Sequence, residues 1–331
     1  MTLSFATMIP DVPPPSVAPG DVPIRHFDGG ALGSPLRLQV HDGTRDAADT
    51  AWAAVRDEFA AVDTALSRHR QDSELTAINR LAGSGRKLAV GERLYMAIAA
   101  TDRARRLTDG RFDARVLEDL ERLGDHGAPL DAVERRADAM MLQRDPVART
   151  VALDRPHDLG GIGKGLGLRW AAALAAAILG PRVGFLLEAG GDVIVRGRPI
   201  DQPTWSIGIE DPSHDGSPVA VVDVVSGAIC TSSIARRSWR TADGRVAHHL
   251  IDPGTGEPGG AGLRAVTVAG ADPAWAEAWS KALFLEGRGG IAGLARADGL
   301  AAWWIDTDDE LGMTPAARIR TLWTRDPDGT G

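Results

Sequence analysis

The sequence predicts an α/β (α+β) fold, a single compact domain with a mixed β-sheet core flanked by helices. From residue 24 onward, short apolar strands alternate with amphipathic helices and glycine turns, which is the pattern of helices packed on a sheet. No repeat or long linker divides the chain, and 331 residues are enough to bury one large core. We expect a disordered Pro-rich leader over 1–23, one domain over 24–326 and a short tail over 327–331.

The first half of the chain predicts a hairpin, two long helices and, between these helices, a polar loop and a short helix in SRHRQDSELTAIN at 67–79. Residues 26–41 read as strand, glycine turn and strand. In the helix that follows, apolar residues recur at gaps of three and four, which places them on one face: Trp52, Val55, Phe59, Val62 and Leu66. A second helix is expected over 92–107, ended by the turn TDGRFD, whereas the charged stretch 128–149 fits no single element.

The second half predicts a sheet with two further helices. A strand at 151–154 leads through the turn HDLGG into a helix that carries Leu166, Trp170, Leu174 and Ile178 at i+4 steps. One further helix is predicted over 273–287. The remaining segments are predicted to be apolar strands with glycine turns: 184–197, 205–211, 219–233, 248–258, 264–272 and 299–306.

Composition argues against several classes of protein. The formal net charge is -8, and the densest basic group, Arg236, Arg237 and Arg240, suits a small phosphate ligand better than a nucleic-acid duplex. Cys230 is the only cysteine, so an internal disulfide is impossible. No run approaches the roughly 20 apolar residues that span a bilayer, and the leader lacks the features of a signal peptide. We expect a cytoplasmic protein.

The segment DLGGIGKGLG, at 158–167, joins a predicted strand to a predicted helix. Glycines let the backbone approach a phosphate closely, and a helix N-terminus offers unpaired N–H donors with partial positive charge. Lys164 adds a full positive charge. The segment is therefore either an anion-binding site or a glycine-rich helix cap.

The segment HHLIDPGTG, at 248–256, places an imidazole and a carboxylate three residues apart on a rigid turn. The imidazole of His249, with an ordinary pKa near ~6.5, is suited to proton exchange near neutrality. The alternative is a plain turn in which Asp252 caps its own backbone. Asp192 in AGGDV is open to the same two interpretations, with the turn favoured, and Arg236 and Arg237 in TSSIARRSW either bind phosphate or are solvated.

The segment AEAWSKALFLEG, at 276–287, places Glu277 and Lys281 four residues apart on one helical face. By itself this spacing indicates a surface ion pair, which contributes only about 0.3–0.5 kcal/mol.

Taken in order, these segments resemble the FAD:protein FMN transferase (ApbE) family. The blocks that carry the resemblance are ALGSP, SRHRQDSELTAIN, TDGRFDARV, DLGGIGKG, LLEAGGDV, TSS, HHLIDPGTGEP and AEAWSKALFLEG. They extend from about Gly30 to Asp306, nearly the whole chain. The resemblance implies an ApbE-like, T-fold-related flavin transferase domain over 24–326.

The resemblance also implies a reaction. FAD is cleaved, AMP is released, and FMN becomes esterified through its phosphate to a Thr or Ser of a partner flavoprotein, assisted by a divalent cation that is usually magnesium. The alternatives are an FAD diphosphatase that yields FMN and AMP, or a flavin-binding protein without catalysis.

Carried onto this sequence, the resemblance implies three sets of site residues. The catalytic positions are His249, Asp252 and Lys164. The FAD-binding positions are Leu32, His69, Phe112, Asp113, Gly160, Leu166, His249 and Thr255. The metal positions are the carbonyl of Gly163 and the side chains of Glu277 and Lys281.

The metal positions depart from the family pattern, which has Asp in place of Glu277 and Thr in place of Lys281. A protonated lysine donates hydrogen bonds only and cannot be a metal ligand. We therefore expect weak or absent Mg²⁺ binding. Either the ammonium of Lys281 stands in for the metal, or the protein binds flavin without cleaving it.

Overall fold

The computed structural model describes residues 24–130, 141–213 and 217–325. The expected leader at 1–23 and tail at 327–331 lie outside these ranges. The helices are α1 (Arg45–Leu66), α2 (Glu74–Asn79), α3 (Glu92–Leu107), α4 (Leu117–Arg122), α5 (Gly163–Leu179), α6 (Pro273–Ala297) and α7 (Pro315–Arg318). Across the described ranges, no helix combines the length and the apolar character that a bilayer-spanning segment requires.

Most of the strands lie in the second half of the chain. They are β1 (Ile24–Ala31), β2 (Ser34–His41), β3 (Leu88–Ala89), β4 (Gln143–Asp145), β5 (Thr150–Ala152), β6 (Gly184–Ala189), β7 (Asp192–Arg196), β8 (Trp205–Glu210), β9 (Pro218–Val224), β10 (Gly227–Ser233), β11 (Ser238–Arg240), β12 (Val246–His248), β13 (Leu263–Gly270), β14 (Ala301–Asp306), β15 (Leu311–Met313) and β16 (Thr321–Thr324).

The fold class is confirmed: helices pack on a large sheet of eight strands, ordered β1-β2-β6-β7-β10-β13-β14-β15. Each pairing between neighbours in this order is antiparallel, rather than the mixture of directions that we expected. For two of these pairings the reason lies in the connections. Two-residue glycine-containing turns join β1 to β2 and β6 to β7, and such turns link antiparallel neighbours only.

The large sheet is covered differently on its two faces. Along β6, Leu187 packs into a core with α1, α5 and α6. Its neighbour Leu186 points to the other face and packs against the small sheet β16-β9-β8. The protein therefore has three layers: helices, large sheet and small sheet.

Helix α5 begins and ends close to where the sequence predicts, but its buried face differs from the i+4 series. Leu166 is fully buried, whereas Leu174 is 41% exposed. Small residues make most of the packed face: Gly163, Gly165, Gly167, Ala171, Ala172 and Ala175. A Cβ on Gly165 would lie 2.6 Å from the Cα of Ala274, so glycine at this position permits the close approach of α5 to α6.

Helix α6 begins where the sequence predicts and continues beyond the expected end. Asp272 caps its first turn by accepting a hydrogen bond from the N–H of Trp275 at 3.2 Å. Gly287 has a φ of 76° and kinks the helix, which then continues to Ala297. The sequence prediction stopped at this kink, because a glycine in the left-handed region normally ends a helix. It also missed two short helices, α4 and α7, and the short strands β3, β4, β11, β15 and β16.

Candidate functional site

A cleft lies between the glycine turn before α5, the turn after α3 and the body of α6. It brings together several residues that the sequence analysis selected: Phe112, Asp113, Gly160, His249 and Lys281. Arg111 and Arg237 also line it. Three cationic side chains in one cleft suit a ligand with several phosphate oxygens.

The glycine turn forms one wall of this cleft. The N–H of Gly160 donates to the carboxylate of Asp158 at 2.8 Å, which fixes the turn. A Cβ on Gly161 would lie 2.9 Å from Phe112 Cε2 and 3.3 Å from Lys281 Cδ. Glycine at 161 therefore lets the ring of Phe112 and the stem of Lys281 pack directly on the backbone.

Behind the cleft, four charged side chains form a cluster. Lys164 Nζ pairs with Asp192 Oδ2 and lies 3.0 Å from Glu277 Oε1. Lys281 Nζ lies 3.3 Å from the same Glu277 oxygen. The side chains of Asp192 and Glu277 are each 1% exposed. The expected surface pair of Glu277 and Lys281 is thus wrong in one respect, since the carboxylate is buried.

The carboxylate of Glu277 is held in its charged form by the two ammonium groups beside it. Burial alone would raise the pKa of Glu277, but Lys164, Lys281 and the N–H of Gly165 hold that pKa below its ordinary value. Burial alone would lower the pKa of Lys164, but Asp192 and Glu277 raise it. By formal charge, the two lysines and the two carboxylates of the cluster sum to zero.

The residues at the expected metal positions do not fit a magnesium ion. Glu277 Oε1 accepts from two lysines, and its Oε2 accepts from the N–H of Gly165 at 2.7 Å. Gly163 begins α5, and Lys281 presents an ammonium group where a ligand oxygen is needed. Mg²⁺ requires near-octahedral oxygen ligands, and these carboxylate oxygens are already committed to cations and an amide. Within the described ranges, no group of three or more His, Cys, Asp or Glu is arranged to hold a metal.

Asp192 is a member of the cluster that the sequence analysis did not select. It follows the turn Gly190–Gly191 and begins β7 with its side chain buried. Its second oxygen accepts the N–H of Thr231 on β10 at 2.9 Å. The favoured interpretation, an aspartate capping its own turn, is wrong. The available signal was its position directly before the apolar run VIV, since a carboxylate at the start of a buried strand needs a cationic partner.

His249 lies in the wall of the cleft with its Nδ1 3.3 Å from the carbonyl of Arg237. Burial, together with the charges of Arg237 and Lys281, lowers the pKa of His249 to about 3. This pKa lies well below the ordinary value near 6.5 on which the expectation of proton exchange near neutrality rests. The imidazole is neutral, and the tautomer that donates from Nδ1 to this carbonyl leaves Nε2 as an acceptor.

The two arginines of TSSIARRSW have different surroundings. Arg237 lines the cleft and pairs with Asp125, which also forms an ion pair with the buried Arg68 at 2.9 Å. Arg236 pairs with Glu210 at 2.8 Å on the surface. Of this pair, Arg237 is the one placed to contact a ligand in the cleft.

The turn after His249 holds two further predicted residues. Asp252 Oδ1 accepts the N–H of Gly254 at 2.8 Å, and its carbonyl accepts the N–H of Gly256 at 2.8 Å. Thr255 is exposed at the tip of the same turn. Asp252 thus shapes the turn, as the alternative interpretation of this motif proposed.

The remaining predicted FAD-binding residues have distinct positions. Leu32 is half-buried in the β1–β2 turn with a φ of 52°. The pKa of His69 is lowered by burial and by Arg68 and Arg237. Leu166 is fully buried in the helical core. Asp113 lines the cleft and pairs with Arg105 at 2.9 Å.

Comparison with known proteins gives a consistent result. A model of the ApbE family matches residues 32–304. An FAD:protein FMN transferase of Klebsiella pneumoniae (strain 342) is 26% identical over 300 residues, which cover 86% of this chain and 85% of the relative. An FAD:protein FMN transferase of Vibrio cholerae is 29% identical over 260 residues, with coverage of 73% and 75%. The crystal structure of the ApbE protein of Thermotoga maritima aligns with this structure with a TM-score of 0.79 at 26% identity. The alignment covers 91% of this chain and 100% of that chain.

Proposed function

This chain belongs to the ApbE family, and on that premise we propose that it transfers the FMN moiety of FAD to a Thr or Ser hydroxyl of a partner flavoprotein. The observation that carries the proposal is the cationic cleft beside the glycine turn. Arg111, Arg237 and Lys281 line it together with the carboxylates of Asp113 and Asp158, and the largely buried Phe112 contributes to its wall. The three cationic groups suit the phosphate oxygens of a dinucleotide such as FAD.

The reaction exchanges one phosphoester oxygen for another. The acceptor hydroxyl oxygen attacks the phosphorus on the FMN side of the pyrophosphate, and a new P–O bond forms. The bond from that phosphorus to the bridging oxygen breaks, and AMP leaves with the bridging oxygen and its electron pair. The hydroxyl proton is released. Such transfers depend on positioning and charge neutralisation more than on covalent help from the protein.

We propose that His249 accepts the proton that the acceptor hydroxyl releases in this reaction. Its Nε2 is available as an acceptor once Nδ1 donates to the carbonyl of Arg237. In the free protein the pKa of this imidazole is lowered to about 3, partly by Arg237 and Lys281. A bound pyrophosphate brings negative charge that offsets those cations, and so raises the affinity of the imidazole for a proton.

The other predicted residues take supporting parts. Lys164 and Lys281 donate to the same oxygen of Glu277. We propose that Lys164 supports the site by sharing the negative charge of this carboxylate with Lys281. We propose Asp252 as a positioning residue, because its carboxylate fixes the turn that follows His249. Six of the predicted FAD contacts are retained as proposals: Leu32, His69, Phe112, Asp113, Gly160 and Thr255. Leu166 is not proposed as a contact, because its side chain is fully buried in the core. We propose no step through magnesium, since the donor set at Glu277 does not fit it.

One incubation tests the proposal. The purified protein is mixed with FAD and a flavoprotein domain that presents a Thr flavinylation site, and the acceptor is then analysed by mass spectrometry. We expect covalent FMN on the acceptor and one AMP released for each FMN attached. A matched acceptor with Thr replaced by Val should stay unmodified. Free FMN with AMP would identify a diphosphatase, and unchanged FAD would contradict both catalytic functions.

A further inference from the structure

Lys281 differs from the other three members of the charged cluster because it alone faces the cleft. It lines the cleft, whereas Lys164, Asp192 and Glu277 do not. Its side chain is 12% exposed. Lys281 is therefore the member of the cluster whose positive charge is presented to whatever the cleft binds.

The ammonium of Lys281 is held in place from two sides. Its methylene stem packs over Gly161, where a Cβ would lie 3.3 and 3.4 Å from Cδ and Cε. Its Nζ lies 3.3 Å from Glu277 Oε1. Within the described structure this oxygen is its hydrogen-bond acceptor, which leaves further N–H donors for a ligand, since an ammonium has three. A charge fixed before the ligand arrives costs no reorganisation during the reaction.

Glu277 fixes this ammonium without fully neutralising it. Its carboxylate is divided among Lys281, Lys164 at 3.0 Å and the N–H of Gly165 at 2.7 Å. The same three donors occupy the oxygens that a divalent cation would need. The arrangement therefore supplies a positive charge at the cleft and, by the same contacts, blocks a metal ion from the carboxylate.

We infer that the ammonium of Lys281 is the fixed cation that offsets the charge of the FAD pyrophosphate, so that flavin transfer by this chain proceeds without a bound divalent cation. The inference rests on the proposed function. In the bond exchange described above, negative charge builds on the bridging oxygen that leaves with AMP. Lys281 stabilises that charge by hydrogen bonding and is neither consumed nor deprotonated.

The test begins with the wild-type protein. Turnover and FAD affinity, the latter from flavin fluorescence, are measured in excess EDTA and again in excess Mg²⁺. We expect equal values in the two buffers. Turnover that EDTA abolishes and Mg²⁺ restores would overturn the inference while leaving the proposed function intact.

The variant Lys281→Met then removes the charge and keeps the stem. We expect turnover to fall by about 10²–10³-fold in both buffers, as when one preorganised donor is lost, with no rescue by Mg²⁺. Lys87→Met, the same change at an exposed lysine, provides the baseline. Wild-type turnover in Lys281→Met would overturn the inference. The thermal unfolding midpoint of each variant shows that both are folded.

FAD binding keeps the two proposals distinguishable. If the wild type yields neither modified acceptor nor AMP in either buffer, the proposed function fails. In that case, FAD affinity alone tests whether Lys281 or a divalent cation offsets the charge of the pyrophosphate. FAD affinity that is equal in the two buffers and weaker in Lys281→Met supports Lys281, and affinity that requires Mg²⁺ overturns it.

Discussion

The backbone N–H of Gly165, in the first turn of α5, donates a hydrogen bond to the carboxylate of Glu277 on α6 at 2.7 Å. A side chain from one helix thus satisfies an otherwise unpaired donor at the start of another. The contact depends on the missing Cβ of Gly165, which would lie 2.7 Å from the carbonyl oxygen of Pro273. The charged cluster is therefore built on a close approach of two helices.

Gly165→Ala should separate these helices. The added methyl group meets backbone rather than a movable side chain, and overpacking of this kind costs about 1–3 kcal/mol of unfolding free energy. We expect weaker FAD binding as well, because Glu277 moves with α6. Gly163→Ala is the matched control, since a Cβ there meets nothing within 4 Å. Equal unfolding free energies for the two variants would contradict this account.

Glu277→Gln should destabilise the fold by about 3–5 kcal/mol, the cost of leaving buried charges uncompensated. Two lysines would then share a neutral amide. Since the folded-state pKa of Glu277 lies below its ordinary value of 4.5, the stabilisation is complete above pH 4.5 and is lost as the pH falls below it. Urea unfolding at several pH values should show the difference between wild type and variant shrinking on acidification. A difference that grows would show that the carboxylate is not held charged.

His249 should make the wild type sensitive to mild acid. Its pKa is lowered from 6.5 to about 3 in the folded protein, so the unfolded chain takes up the proton first. The folded state therefore loses stability as the pH falls below 6.5, by up to about 1.4 kcal/mol per pH unit. His249→Gln should remove this part of the pH dependence. Parallel stability curves for the two proteins between pH 7 and pH 4 would rule out a buried neutral imidazole.

The same residue should matter for turnover. We expect His249→Ala to lower turnover by about 10²-fold or more, in line with the loss of acid–base assistance. The thermal unfolding midpoint at pH 7 separates this effect from loss of structure. A variant that unfolds near room temperature while its folded fraction retains wild-type turnover would make His249 a structural residue.

Gly160→Val should obstruct the cleft. Gly160 is exposed in the cleft wall, and its own turn is already fixed by Asp158. A branched side chain would project into the space that the ligand needs. A Cβ at this position would also lie 3.1 Å from Asp158 Oδ1, so we expect FAD affinity to fall together with a small loss of stability. Gly208→Val, on β8 of the small sheet, is the control because a Cβ there makes only an ordinary contact with Pro218 at 3.5 Å. Unchanged FAD affinity in Gly160→Val would remove this wall from the binding site.

Local patterns in the sequence predicted local structure well. The periodicity through Val55, Phe59 and Val62 gave a helix with those residues buried, and the helix over 92–107 has the predicted ends. The i+4 spacing placed Lys281 within 3.3 Å of Glu277. In each case the residues that interact are neighbours on one element, so a short window contains the information.

The charged cluster was beyond such reasoning because its members come from distant segments. Lys164 meets Asp192 across 28 positions and Glu277 across 113. The pKa of His249 depends on burial and on Arg237 and Lys281, neither of which adjoins it in the chain. Each residue could be singled out in the sequence on its own. Their pairing could not be predicted, because it is set by the topology of the sheet and the packing of α5 on α6.

The position of β2 in the large sheet has a consequence for how the protein is made. β2 pairs on one side with β1 and on the other with β6, so that Leu36 lies opposite Ala189. During synthesis, the N-terminal hairpin leaves the ribosome long before its second partner, and one edge of β2 stays unpaired while about 150 further residues are added. Contacts of such long sequence separation fold slowly, and exposed strand edges invite misassembly. The unpaired edge of β2 therefore leaves the nascent chain open to misassembly until β6 emerges.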